Sequence, residues 1–169
     1  VEPHTPRNSL VYDPVADRWS QPTTTTSYHV GHSVTVLTTG RVLVVGGLEK
    51  GAPHRHTDLY DPATDSWSAA ADMVNARYYH AAARLADGRV LVAGGFDNQA
   101  SLSLASAEIY DPTSDTWTRV ADMPWSLMYA VAVMFYFRRL RPPRALLYPY
   151  ATLFPSHLYD PATGSWSST

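Results

Sequence analysis

The sequence contains no cysteine. That excludes disulfides, thiolate zinc sites, iron–sulfur ligation and a cysteine nucleophile. It leaves the compartment open, because reducing and oxidising compartments both hold cysteine-free chains. Charge is scarce too. Only 17% of residues are charged, 13 basic against 15 acidic, for a net charge of −2. So near-neutral a balance gives no basis for nucleic-acid binding. The apolar stretch Leu127 to Phe137 has eleven residues, too few for a membrane span, which needs roughly 20. There is no initiator Met, signal-peptide core or targeting motif, so a fragment or processed product is expected. What is present is globular: 45% of the 169 residues are hydrophobic, enough for a core and unlike a disordered tail.

Internal repeats dominate the chain. YDPVADRW runs from Tyr12 to Trp19 and YDPATDSW from Tyr60 to Trp67. YDPTSDTW runs from Tyr110 to Trp117 and YDPATGSW from Tyr159 to Trp166. The Tyr-to-Trp offset is seven each time, and the starts lie 48, 50 and 49 residues apart. Between these units, TGRVLVVGG (Thr39 to Gly47) recurs as DGRVLVAGG (Asp87 to Gly95). His32 and His80 each stand fourteen residues before the first glycine of the pair.

Each repeat reads as β. Ser33 to Leu37 alternates with period two, and Arg41 to Val45 is a β-branched-rich run ending at glycines. Asp87-Gly88, and more weakly Thr39-Gly40, predicts a type I′ hairpin turn. Pro14, Pro62, Pro112 and Pro161 preset φ for the turn after Tyr-Asp. The sixth residue of each unit is Asp17, Asp65, Asp115 or Gly164, an Asp/Gly alternation that predicts a left-handed backbone there. Each repeat therefore supplies four antiparallel strands, a to d. Such units of about 50 residues are blades of a β-propeller.

The glycine pairs Gly46-Gly47 and Gly94-Gly95, the Tyr-Asp-Pro turns and the spaced Trp make the chain resemble the kelch-repeat β-propeller family over residues 10–168. The L-x-x-G-R-V-L-V-x-G-G segment is similar to the propeller of the bacterial-type, galactose oxidase-like proteins. The resemblance implies a propeller, commonly of about six or seven blades. It also implies that the glycines let a strand pass under a neighbouring aromatic ring while Tyr and Trp fill the space between blades.

The expected fold is all-β, an incomplete propeller of about three and a half blades. Residues 1–9 are a linker or fragment edge and 10–27 a half blade of strands c and d. Residues 28–74 and 75–124 are kelch blades, and 125–169 a degenerate one. An open arc leaves apolar edges, so further blades from a longer parent chain or a second copy are expected.

The degenerate stretch lies between Trp125 and Leu153. Counting from the second repeat puts Ala130 where His is expected and Arg144-Ala145 where the glycine pair is expected. Arg138, Arg139, Arg141 and Arg144 cluster there, and no acid occurs between Asp122 and Asp160. A basic binding patch lacks an aromatic-and-basic module around it. The near-constant length, lost glycines and abrupt charge change favour an out-of-frame stretch over residues 125–153; a divergent blade is the alternative. Without it, nine basic residues face 15 acidic ones, a charge of −6.

No catalytic, metal or cofactor site is expected. His32 and His80 recur once per repeat and read as structural. His54 and His56 form an H-x-H pair with no third ligand in sequence. His29 and His32, three apart on a strand, are expected on opposite faces. Asp13, Asp61, Asp111 and Asp160 read as turn residues. The oxidases named above need a tyrosine linked to a cysteine, which this chain cannot itself supply. No Gly-rich phosphate loop or G-x-S-x-G occurs. Binding is expected on the varied b–c and d–a connections, LEKGAPHRHT (Leu48 to Thr57), FDNQASLSLAS (Phe96 to Ser106) and Asn75 to Tyr79. The candidates are Glu49, His54, Arg55, His56, Arg77, Tyr78, Asp97, Asn98 and Gln99, for a protein or carbohydrate ligand. The alternative is a piece of a kelch-type oxidase or carbohydrate-active enzyme whose catalytic residues lie outside this chain.

Overall fold

The computed structural model describes residues 7–21, 23–97, 102–127, 131–135, 144–148 and 157–168. Asn98 and Gln99 of the candidate set lie outside them. The described residues are all β, without helix. Strand β1 (Asn8–Ser9) pairs with β4 (Thr23–Thr24), enclosing the hairpin of β2 (Tyr12–Asp13) and β3 (Arg18–Trp19). The first blade is the antiparallel meander β5 (Ser33–Val36), β6 (Val42–Glu49), β7 (Ala52–Asp61) and β8 (Ser66–Ala70). The second has β9 (Ala81–Arg84) and β10 (Val90–Ala93), then a short hairpin of β11 (Phe96–Asp97) and β12 (Leu102–Ser103), then β13 (Ala107–Asp111) and β14 (Thr116–Val120). The third is β15 (Val131–Phe135), β16 (Arg144–Tyr148), β17 (His157–Asp160) and β18 (Ser165–Ser168). Strands β5, β9 and β15 touch their neighbours in adjacent blades, so strand a is innermost. Among the described residues this is an incomplete array of propeller blades, with no closed ring.

The core lies between blades. Leu37, Leu43, Val45, Leu59 and Met73 of the first blade pack against Val90, Val92 and Tyr110 of the second. Leu91, Ala93 and Ile109 face the other way, toward Tyr159 of the third. Strand alternation explains it: Val90 and Val92 point back, Leu91 and Ala93 forward, and all four are buried. The back of the first blade lacks such a neighbour. Val34 and Val36 are each 56% exposed. With Val42, Val44, Tyr60 and Leu10 they line an open groove of about 740 Å³ between this blade and the N-terminal hairpin.

The Tyr-Asp-Pro turns are built alike. In each, the Asp Oδ1 accepts the amide two residues on, from Val15, Ala63, Thr113 and Ala162. The sixth residue has positive φ, 49° at Asp17 and Asp65, 51° at Asp115 and 65° at Gly164, as the Asp/Gly alternation implies. The Tyr60 and Tyr110 hydroxyls donate to Asp65 and Asp115 at 2.8 Å. The paired Tyr and Trp rings lie 4.9–5.2 Å apart in all four units. Trp117 and Trp166 then reach the preceding blade, each indole N–H donating to the carbonyl of Ala71 or Ala121.

Four local expectations are corrected. At Asp87-Gly88 and Thr39-Gly40 only the glycine has positive φ. Leu85 and Leu37 accept the glycine N–H and donate to Arg89 and Arg41, the pattern of a type I turn with a glycine bulge. The hairpin turn at Lys50-Gly51 does have positive φ at both positions, 51° and 80°. The b–c connection of the first blade is thus no long loop, but strands β6 and β7 extended to a tight hairpin. The glycine pairs admit backbone more than rings: a Cβ on Gly46 would meet Arg77 O at 2.5 Å, and one on Gly94 would meet Leu127 O at 2.4 Å. In the third blade Ala145 pairs with Tyr159, the place Val90 holds opposite Tyr110. The glycine-pair position therefore falls not at 144–145 but from 149, outside the described residues.

Candidate functional site

The meander order a-b-c-d puts the a–b and c–d turns at one end of each blade and the b–c and d–a connections at the other. The second end gathers the varied side chains. Linker 71–80 runs along the edge of β7, where Met73 N donates to Arg55 O at 2.9 Å. That contact sets Arg55 and His56 beside Asp72, at 3.6 and 3.2 Å. Both remain exposed, whereas Glu49 and His54 are half-buried. His54 stacks on His56 with ring centres 5.0 Å apart.

Arg77 is not available to a partner. It is fully buried at the junction of the first two blades. Its guanidinium donates to Gly94 O at 2.7 Å, to Ser106 O and Oγ at 3.0 Å, and to Glu108 at 2.8 Å. Its neighbours differ. Tyr78 bridges to Phe96, with rings 5.6 Å apart edge to face. Tyr79 is exposed and holds φ at 53°, an uncommon backbone for an aromatic residue. The equivalent residue 48 positions earlier is Gly31, at 72°, whose carbonyl accepts Tyr79 N–H at 2.7 Å. Asp97, on β11, is half-buried.

His29 and His32 come together, contrary to the strand expectation. Gly31 turns the chain between them, so neither belongs to a strand. Their rings lie 5.7 Å apart, and His54 is 5.3 Å from His29. Burial, and the charge of nearby His29, hold His32 and His54 below the usual imidazole range. Among the described residues no group of three or more His, Asp or Glu could hold a metal ion.

His80 is the buried counterpart of exposed His32, because the second blade has a blade behind it and the first does not. Ser33 Oγ and His80 Nε2 share a hydrogen bond of 2.7 Å. The pair resembles a nucleophile and base, but burial and Arg77 push His80 down to about 3. So weak a base cannot activate a hydroxyl near neutral pH.

Sequence reasoning missed two buried contacts, His29–Asp58 and Arg77–Glu108. The available signal was an acid two residues before Tyr60 and Tyr110, with a basic residue, His29 or Arg77, three residues before each repeated histidine.

Four-stranded meanders stacked face to face, with glycine pairs beneath the next linker, define a propeller-type repeat protein. A family model of the Kelch motif matches residues 30–74 and 77–124, more than half of the chain. The chain belongs to the kelch-repeat family, whose modules commonly mediate protein interactions. No curated protein sequence matches it.

Proposed function

We propose that the chain is a non-catalytic interaction module that binds a protein partner on the b–c and d–a end. The supporting observation is the contrast between its two ends. One repeats the same Asp-Pro and glycine turns. The other displays Glu49, Lys50, Arg55, His56, Tyr79 and Asp97 on a rigid sheet scaffold, an arrangement suited to specific recognition. Asn98 and Gln99 complete the proposed set by sequence; Arg77 drops out because it is fully buried. Replacing Glu49, Arg55 and His56 together by alanine tests it, with pull-down by the 169-residue chain as the readout. Loss of partner capture at unchanged melting temperature is expected. Undiminished capture removes this end from consideration.

The exposed ring of Tyr79, beside Tyr78 and Phe96, favours a second reading, a carbohydrate stacked on aromatic surface. A glycan array compared with Tyr79→Ala separates the two. The groove behind the first blade further suggests inner strands from a longer parent or a second copy, since Val34 and Val36 are otherwise wetted. Light scattering checks this: a monodisperse 18.7 kDa monomer with a cooperative melt would count against it.

A further inference from the structure

The two contacts are one device used twice. His29 and Arg77 are 48 residues apart, as are Gly46 and Gly94. Arg77 bonds Gly94 O and Glu108; His29 bonds Gly46 O at 2.7 Å through Nδ1 and Asp58 at 3.1 Å through Nε2. Glu108 also accepts the amides of Val74 and Asn75. Asp58 accepts the Thr26 hydroxyl and the Ser27 amide, from the matching positions. The chemistry differs in one respect: a guanidinium is always charged, whereas an imidazole exchanges its proton near neutrality.

We propose that the His29–Asp58 lock is a pH-gated version of the permanent Arg77–Glu108 lock, and that it controls how firmly segment 26–32 holds the N-terminal hairpin over the groove. Both His29 nitrogens face acceptors, a carbonyl and a carboxylate, so both bonds exist only when both nitrogens carry hydrogen. Loss of one proton as pH rises leaves one acceptor without its donor. Asp58 stays ionised in the folded state: burial raises its carboxyl, but the hydrogen bonds from His29, Thr26 and Ser27 outweigh that and hold it low.

The surrounding charges are few. His32 Nδ1 lies 2.6 Å from His29 O, and His54 Nε2 contacts Tyr28 O. His56 stacks on His54 and pairs with Asp72, which also meets Arg55. Glu49 acts on His54 from the hairpin. Arg7 lies over the Tyr28 ring at 4.9 Å and donates to Thr26 O. Burial chiefly, with His29 beside them, holds His32 and His54 below the usual imidazole range, so they act on the acid side.

The test is amide hydrogen exchange of the 169-residue chain between about pH 6 and 8, corrected for intrinsic rates, with imidazole NMR of His29 alongside. Protection of the Ser27 amide is expected to fall about tenfold over that range, in step with the His29 ring signals, as a charge-assisted bond is lost. His29→Arg should keep protection high at both ends, and His29→Gln should keep it low. The Val74 and Asn75 amides should not respond in any variant. Ser27 protection that is flat in the wild type, or an unchanged pH response in His29→Arg, would overturn the proposal. The wild-type NMR titration decides even if a variant fails to fold: no coupling between the His29 signals and Ser27 protection also overturns it.

Discussion

Arg77 and Glu108 meet at 2.8 Å inside the junction of the first two blades, with neither side chain exposed to solvent. The pair ties the d–a linker to strand c of the same blade while Arg77 O accepts Gly47 N–H from the blade before. One residue thus joins two blades, through its side chain on one side and its carbonyl on the other.

Arg77→Leu should therefore destabilise the protein by about 3–5 kcal/mol, because it strands a buried carboxylate. Adding Glu108→Leu should restore only part of that. Glu108 also accepts two backbone amides, which the double variant leaves without a partner. Denaturant melts of the two singles and the double give the coupling energy directly.

The glycines should rank by what a Cβ would meet. Gly94→Ala forces a carbon to 2.4 Å from Leu127 O, so the linker must move and the cost should be several kcal/mol. Gly40→Ala meets nothing within 4 Å but keeps φ at 84°, which should cost about 1–2 kcal/mol. Thermal melts that put Gly40→Ala at or above Gly94→Ala in cost would contradict this geometry.

Acid should destabilise the blade junction. The folded value for His80 is about 3, below its unfolded value of 6.5, so the unfolded chain takes up the proton first. Stability is lost as pH falls from about 6.5 toward 3, on the order of 5 kcal/mol in full. His32 and His54 shift the same way and add to the loss. Urea melts across this range should show a slope that His80→Gln reduces.

Asp115 carries two bonds, from the Tyr110 hydroxyl and from Ala71 N–H of the preceding blade at 2.9 Å. Asp115→Gly keeps the left-handed backbone at no steric cost and loses only the bonds. Asp115→Ala loses the bonds and adds strain, so it should be worse by about 1 kcal/mol. Paired denaturant melts measure the difference.

The coding DNA over residues 125–153 is expected to spell a segment like DGRVLVxGG in a shifted frame. Sequencing that stretch decides it: no such segment in either alternative frame leaves a divergent blade.

Much of the fold was legible because its signals are local. The Tyr-to-Asp bond spans five residues and the turn bond two, so each is written into one short motif. Four copies of that motif, with alternating strands between them, define antiparallel blades and their order. Glu49, Arg55 and His56 were also readable as sites of variation. Arg77 was misread because a charged side chain in a linker looks solvated until its burial is known. The third blade's glycine position shifted because counting along a degenerate stretch ignores strand register.

By itself the sequence determined the repeat, the strand order, the left-handed turn residues and the absence of thiol chemistry, since all follow from composition and contacts within a few residues. Tertiary structure alone decided that Arg77 is a buried tie, that His29 meets Asp58, and that the same histidine position is exposed in one blade and buried in the next. Those outcomes depend on partners some 30 residues away, or in another blade. No local pattern specifies which face of a sheet a neighbouring blade will cover.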